Sequence, residues 1–245
     1  MASGPQLSLV AYYGAKRAGL ANLLDRCRRT IVDGPLGESF APYRAAQVHA
    51  TITGMESLPG SPRWNRNLFE HRGVRARMDL SRIDEVVRRR LPLTIRFGGF
   101  APGDRPFESR GQEPYARTFQ IHATTGQVTL IGWPHRDGEF APRLLEDLRR
   151  EIERTCNIAP KYDRDNDLYL VLGTLSGPVP QEDASAVERA VRDRLRDHPV
   201  DILIRREDLS IVRYEEPTLD PASTVDHRLA DPEASPLDLE ALLGA

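Results

Sequence analysis

Residues 46–55 read Ala-Gln-Val-His-Ala-Thr-Ile-Thr-Gly-Met. Val48, Ala50 and Ile52 alternate there with His49 and Thr51, and in a strand residues two apart share a face. The apolar set points into a core, while an imidazole and a hydroxyl project together from the other side. The alternation reads as a strand over Ala46–Met55 with one buried face.

The chain organises outward from this strand. Upstream, Leu7–Tyr13 (LSLVAYY) is a short run rich in β-formers that ends at Gly14. Lys16–Ile31 follows with Leu20, Leu23, Leu24, Cys27 and Ile31 at helical spacing, and a Gly/Pro loop spans Gly34–Pro42. Downstream, Ser57–Gly73 reads as a loop with Pro59, Gly60 and Pro62. Ser81–Leu91 reads as a helix opened by a capping-box-like Ser81 and Asp84, and Leu93–Phe97 as a strand. Gly98–Tyr115 is a loop studded with glycine, proline and charge, long enough to serve as a flap. Arg117–Ala123 and Gln127–Trp133 flank Thr124–Gly126 as a hairpin. Glu139–Cys156 has a strong amphipathic pattern, with Leu144, Leu145, Leu148 and Ile152 inward and Glu146, Arg149, Arg150 and Glu153 outward. Asp167–Leu172, Val200–Ile204 and Ser210–Tyr214 read as strands, and Glu182–His198 as a helix. The order β-α-β-α-β-β-β-α-β-α-β-β predicts a mixed α/β or α+β fold and excludes a regular βαβ winding. Its second half loosely repeats its first.

With 245 residues, 40% hydrophobic and 29% charged, the composition is that of an ordinary globular protein. No apolar run is long enough to cross a bilayer, and Met1–Pro5 lacks a signal core, so a cytoplasmic, membrane-free protein is expected. Cys27 and Cys156 alone make neither a disulfide framework nor a zinc site. The net charge of −2 excludes a uniformly polybasic nucleic-acid binder, yet it hides an asymmetry. From Glu215 onward eight acids face one arginine, so the preceding body is positive. Lys16 and Lys161 are the only lysines among 34 basic residues. Codon bias explains that scarcity, and so does phosphate recognition, for which guanidinium forks suit better than ammonium points.

Gly14–Gly19 follows a strand and opens a helix but lacks the Lys-Ser or Lys-Thr of a phosphate loop, which leaves no hydroxyl for magnesium. Two His-Ala-Thr sequences, at His49–Thr51 and His122–Thr124, each offer a proton-transfer group beside a phosphate donor. The second lies next to the Thr125-Gly126 turn, where a hairpin tip is the simpler reading.

The opening strand and helix, followed by Val48-His49-Ala50-Thr51-Ile52, resemble the start of the 2H phosphoesterases, the bacterial RNA 2′–5′ ligase-like and 2′,3′-cyclic phosphodiesterase proteins. The resemblance continues in element order through Leu93–Phe97, Val128–Pro134, the Leu144–Cys156 helix and the last two strands. It implies a bilobal, pseudo-symmetric fold whose antiparallel sheets line a central cleft, with helices outside. It also implies one domain over 1–214; the residues themselves read as an acidic, Pro-rich tail over 215–245 that ends in a short helix at Pro236–Leu243 capped by Ser235. Two His-x-Ser/Thr motifs face each other in that family. One histidine takes a proton from the attacking hydroxyl, the other protonates the leaving oxygen, and no metal or other cofactor is required.

His49 and Thr51 match the first motif and are the implied catalytic pair. At the second, this chain carries Asp167 and Tyr169 in place of histidine and Ser or Thr. An aspartate at its ordinary pKa is a poor acid at neutral pH and repels phosphate. Asp167 and Tyr169 therefore stand as substrate-side residues of a degenerate motif, or as plain strand residues. Arg63, Trp64 and Arg66 are further substrate-binding candidates, the arginines for phosphate and Trp64 for stacking; Lys161 and Tyr162 offer the same pairing. The resemblance implies an RNA end or small nucleotide as ligand, and a metal-independent cyclic phosphodiesterase as the activity. A non-catalytic nucleotide- or RNA-binding module is the alternative, and a scaffold whose acidic tail docks a protein partner is another. Deleting the chain from Glu215 is expected to leave activity unchanged unless the tail caps the cleft.

Overall fold

A computed structural model describes residues 5–230 and 238–243. The expected opening strand forms as β1 (Gln6–Ala11) and leads to α1 (Ala18–Val32), which buries Leu20, Leu23, Leu24, Cys27 and Ile31 as their spacing requires. Then come β2 (Phe40–Pro42) and β3 (Ala50–Gly54). The stretch read as a loop is instead a small hairpin, β4 (Ser57–Leu58) and β5 (Ser61–Asn65), running into α2 (Arg66–Arg72). Asn65 caps α2 by accepting from the Leu68 amide, and Gly73 closes it in the left-handed region.

Next are α3 (Ile83–Arg90) and β6 (Leu93–Phe97). The expected Ser81–Asp84 capping box is absent. Asp79 accepts from the Ser81 amide at 3.0 Å and hydroxyl at 2.6 Å, while Asp84 binds Arg88 at 2.7 Å and Arg206 at 2.5 Å.

The hairpin forms from α4 (Pro114–Thr118), β7 (Phe119–Ile121) and β8 (Gln127–Arg136), closed by Gly126 at φ +66°. The amphipathic stretch begins later than its pattern suggests: β9 (Glu139–Phe140) precedes α5 (Leu144–Cys156). Asn166 Oδ1 caps that helix from outside it, accepting from the amides of Leu145 and Glu146. The remaining elements are β10 (Leu168–Leu175), α6 (Gln181–Asp197), β11 (Val200–Ile204), β12 (Leu209–Tyr214), β13 (Val225–Arg228) and α7 (Leu239–Leu243). Ser235 and Pro236 lie outside the described residues.

The main sheet runs β11-β6-β8-β10-β3-β1-β12-β13, with β2 on β10 and with β7 and β9 on β8, and every pairing is antiparallel. One face carries the core. Leu7, Leu9, Ala50, Ile52, Leu168, Leu170, Leu130 and Ile95 meet the apolar stripes of α1, α3, α5 and α6 there. Gly132 is required within β8, because a Cβ would lie 2.7 Å from Ile95 and 2.8 Å from Phe97. The architecture is thus mixed α+β with an antiparallel sheet, as expected.

The opposite face is not covered evenly. Val10, Tyr13, Val212, Tyr214 and Leu219 make one small apolar cluster, and Phe100, Ile131 and Trp133, with Phe107 and Phe140, make another. Between them β3 and β10 meet through a single registered pair, Ala50 with Leu170. The sheet is narrowest there, and its uncovered face opens. The acidic stretch after Glu215 does not hang free of this fold. Its β13 extends the sheet beyond β12, and Leu219, Leu229, Leu239 and Leu242 are buried.

Candidate functional site

The narrow join of β3 and β10 floors a cavity of about 530 Å³. Ala50 and Leu170 point into the core there, so Thr51 on β3 and Tyr169 on β10 point into the cavity. His122, from the turn after β7, reaches the same space. Its Nε2 lies 3.3 Å from the Tyr169 hydroxyl and 3.4 Å from Thr129 Oγ1, whose own proton goes to the Gln120 carbonyl at 3.2 Å. Burial, then the Arg117 charge, lowers the pKa of the His122 imidazole, which favours the neutral ring. Arg110 and Lys161 complete the positive side of the wall. Arg110 stands 3.6 Å from Asp165 and 3.9 Å from Asp167, loose pairings at a half-exposed site, while Lys161 has no carboxylate within 4 Å among the described residues.

Asp167 lines the cavity too, but its oxygens are already engaged. Trp133 Nε1 donates to Oδ1 at 2.7 Å, Ser109 Oγ lies 2.9 and 2.7 Å from the two oxygens, and Arg117 Nη2 is 3.4 Å from Oδ2. These contacts make Asp167 the anchor of the 98–118 loop, whose Phe100 and Phe107 pack edge-on against Trp133. Arg117 is itself buried and also donates to Gln120.

Behind the cavity, Arg149 of α5 corrects the amphipathic reading, which put it outside. It is buried, and its guanidinium donates to the carbonyls of Ile52 at 2.7 Å, Asp165 at 2.7 Å, Asp167 at 3.1 Å and Thr51 at 3.3 Å. One side chain thus ties β3 to the start of β10 where the sheet itself supplies a single pair.

His49 takes a different position. It does not line the cavity that Thr51 lines. Its Nδ1 is 2.6 Å from the Gln47 carbonyl and its ring meets Tyr13 edge-on at 6.4 Å. Burial lowers its pKa, and nearby Lys16 adds to the effect. The chain after β12 runs from the cavity wall at Pro217 to the residues around His49. The Thr218 carbonyl accepts from Gln47 Nε2 at 3.5 Å, and the Leu219 carbonyl accepts from the Tyr13 hydroxyl at 3.2 Å.

Arg63, Trp64 and Arg66 do not line the cavity, although Asn67, the next residue of α2, does. Arg63 pairs with Glu240 at 2.7 Å, Trp64 lies under Arg75 at 5.7 Å, and Arg66 donates to the Ser57 carbonyl at 3.4 Å. The structure therefore gathers Thr51, Asp167 and Tyr169, adds His122, and separates His49, Arg63, Trp64 and Arg66 from them. Arg110 and Arg149 carry no local sequence signal, since their partners lie far along the chain; Arg117 has Gln120 three residues on, but its contact with Asp167 is remote. Among the described residues no three His, Cys, Asp or Glu side chains converge as metal ligands.

No family model matches this chain, and no curated protein matches it. Among solved structures, the crystal structure of TT0787 of Thermus thermophilus aligns over 91% of this chain and 94% of that one. The identity is 15% and the TM-score 0.42.

Proposed function

We propose that this chain is a 2H phosphoesterase-like protein whose cavity at the β3–β10 join takes the phosphodiester of an RNA end or a nucleotide. The convergence of Thr51, Tyr169 and His122 on one cavity with Arg110 and Lys161 carries this reading. Two hydroxyls donate to the nonbridging oxygens while a guanidinium and an ammonium offset their charge. Neutral His122 is the proton-transfer group. In hydrolysis of a 2′,3′-cyclic phosphate, water oxygen attacks phosphorus and passes its proton to the imidazole. The bond from phosphorus to one ribose oxygen breaks, and the imidazolium gives its proton to that oxygen.

A specific observation favours a second reading, a non-catalytic binding module. Asp167 occupies the position of the second histidine in the resembling family, and its oxygens are held by Trp133, Ser109 and Arg117. The cavity then has one imidazole where two-histidine chemistry uses two.

Incubation with nucleoside 2′,3′-cyclic phosphates in the presence of EDTA separates the two. The enzyme reading expects turnover that falls about a hundredfold in His122→Ala. A loss confined to His49→Ala reassigns the proton transfer to His49. Calorimetric binding with no turnover by any form selects the module, and absence of both binding and turnover refutes the site.

A further inference from the structure

We infer that the ligand continues out of this cavity as a single strand of nucleic acid, with Tyr162 as the stacking platform for the next base and Arg154 and Arg164 as receptors for further phosphates. The inference rests on the phosphodiester reading of the cavity and deepens it, choosing a polynucleotide end over a free mononucleotide.

Three cavities meet at the segment that leads into β10. The first is the one lined by Thr51 and Tyr169. The second, about 480 Å³, lies under Phe107, Trp133 and Phe140. The third, about 340 Å³, is walled by the outer side of α5, with Arg154 and Arg164 on its lining. Tyr162 borders all three.

Tyr162 is also one of few large apolar side chains left exposed, at 45%. Its surroundings are those of a base platform. The Arg110 guanidinium sits over the ring at 4.1 Å and the Lys161 ammonium at 5.3 Å. A base laid on the ring extends that stack and gains from the flanking positive charge.

Apart from Glu56, which lines the first cavity with no cation within 4 Å among the described residues, the carboxylates along this path are ion-paired. Glu146 is taken by Arg150, Glu153 and Asp163 by Arg72, and Asp165 by Arg149 and Arg110. Arg154, Arg164 and Lys161 have no carboxylate within 4 Å among the described residues, and all three are exposed. Unpaired cations on both sides of an exposed aromatic ring form an alternating track that suits phosphate, base and phosphate in turn.

The test compares a short labelled single-stranded oligouridylate with uridine 2′,3′-cyclic phosphate as ligands of the full chain. The oligonucleotide is expected to bind at least tenfold tighter. Tyr162→Ala should cost about tenfold for the oligonucleotide and little for the mononucleotide, and Tyr162→Phe should restore binding. If each arginine holds one phosphate, the Arg154→Ala/Arg164→Ala pair should lower the slope of log affinity on log salt by about 1.4. Equal affinity for the two ligands, or wild-type oligonucleotide binding by Tyr162→Ala, overturns this inference and leaves the cavity reading standing. Binding of neither ligand overturns both.

Discussion

Asp167 shows how far a single residue's meaning depends on partners remote in sequence. Beside Leu168 it reads as a histidine replaced, and its charge reads as a liability to phosphate. In the fold it accepts from the indole of Trp133 and the hydroxyl of Ser109, and it faces the buried Arg117 guanidinium. Removing one member of a buried ion pair strands the other. Asp167→Asn is therefore expected to cost about 3 kcal/mol in denaturant unfolding and to open the 98–118 loop to limited proteolysis. Unchanged stability and protection would show that the contacts are incidental. The histidines give a second prediction at this scale. Burial lowers the pKa of His49, His122 and His135 below the ordinary 6.5, so the folded protein resists protons that the unfolded chain accepts. Stability is retained above about pH 6.5 and falls as pH drops toward their folded values. The pH dependence of thermal unfolding checks this, and replacing His122 with Gln should flatten part of the slope.

Elements whose packing follows their own periodicity were legible, and those fixed by remote groups were not. The strands β1, β6, β11 and β12 and the helices α1 and α6 fall within a few residues of their expected limits, because apolar spacing sets both their type and their buried face. The β4–β5 hairpin and α2 escaped, since Pro59, Gly60 and Pro62 mark a turn without showing that the flanking residues pair. The start of α5 escaped for another reason, as Asn166 caps it across the fold. Within the site, Thr51 and Tyr169 could be placed by strand alternation, whereas His122, read as the end of a strand over Arg117–Ala123, lies just past β7, where alternation fixes no direction. Arg149 is the plainest failure: an arginine in an amphipathic helix reads as solvated, and only four distant carbonyls reverse that. Those carbonyls also make it a clasp between β3 and β10. Arg149→Met, which keeps the stem and removes the donors, is expected to cost about 3 kcal/mol or more by leaving buried acceptors unmet. Amide exchange near Thr51 and Asp167 should accelerate before that of β1 and β12. Uniform acceleration across the sheet would instead mean a general loss of stability.

On the scale of the whole molecule, the charge asymmetry along the sequence suggests a positive body and a detachable acidic tail, and the fold joins them. The residues after Glu215 contribute a sheet strand, a cavity wall at Pro217 and four buried leucines, Leu219, Leu229, Leu239 and Leu242. Fully burying such a side chain is worth about 1.5–3 kcal/mol, and a domain's net stability is only about 5–15 kcal/mol. Deleting the chain from Glu215 should therefore abolish cooperative folding, against the expectation from composition that activity would survive. The milder Leu219→Ala keeps the chain intact. It should cost about 2–5 kcal/mol and loosen the segment that bonds Tyr13 and Gln47 beside His49. The deletion and the substitution together distinguish a structural segment from an appended one. A truncated protein that still melts cooperatively near the wild-type temperature would show that the body is stable without this segment. A truncated protein that fails to fold while Leu219→Ala still folds would place the acidic residues on a framework the body requires. The near-neutral net charge is then a property of one cooperative unit, in which the acidic segment reaches, at Pro217, the wall of the cavity that Arg110 and Lys161 also line.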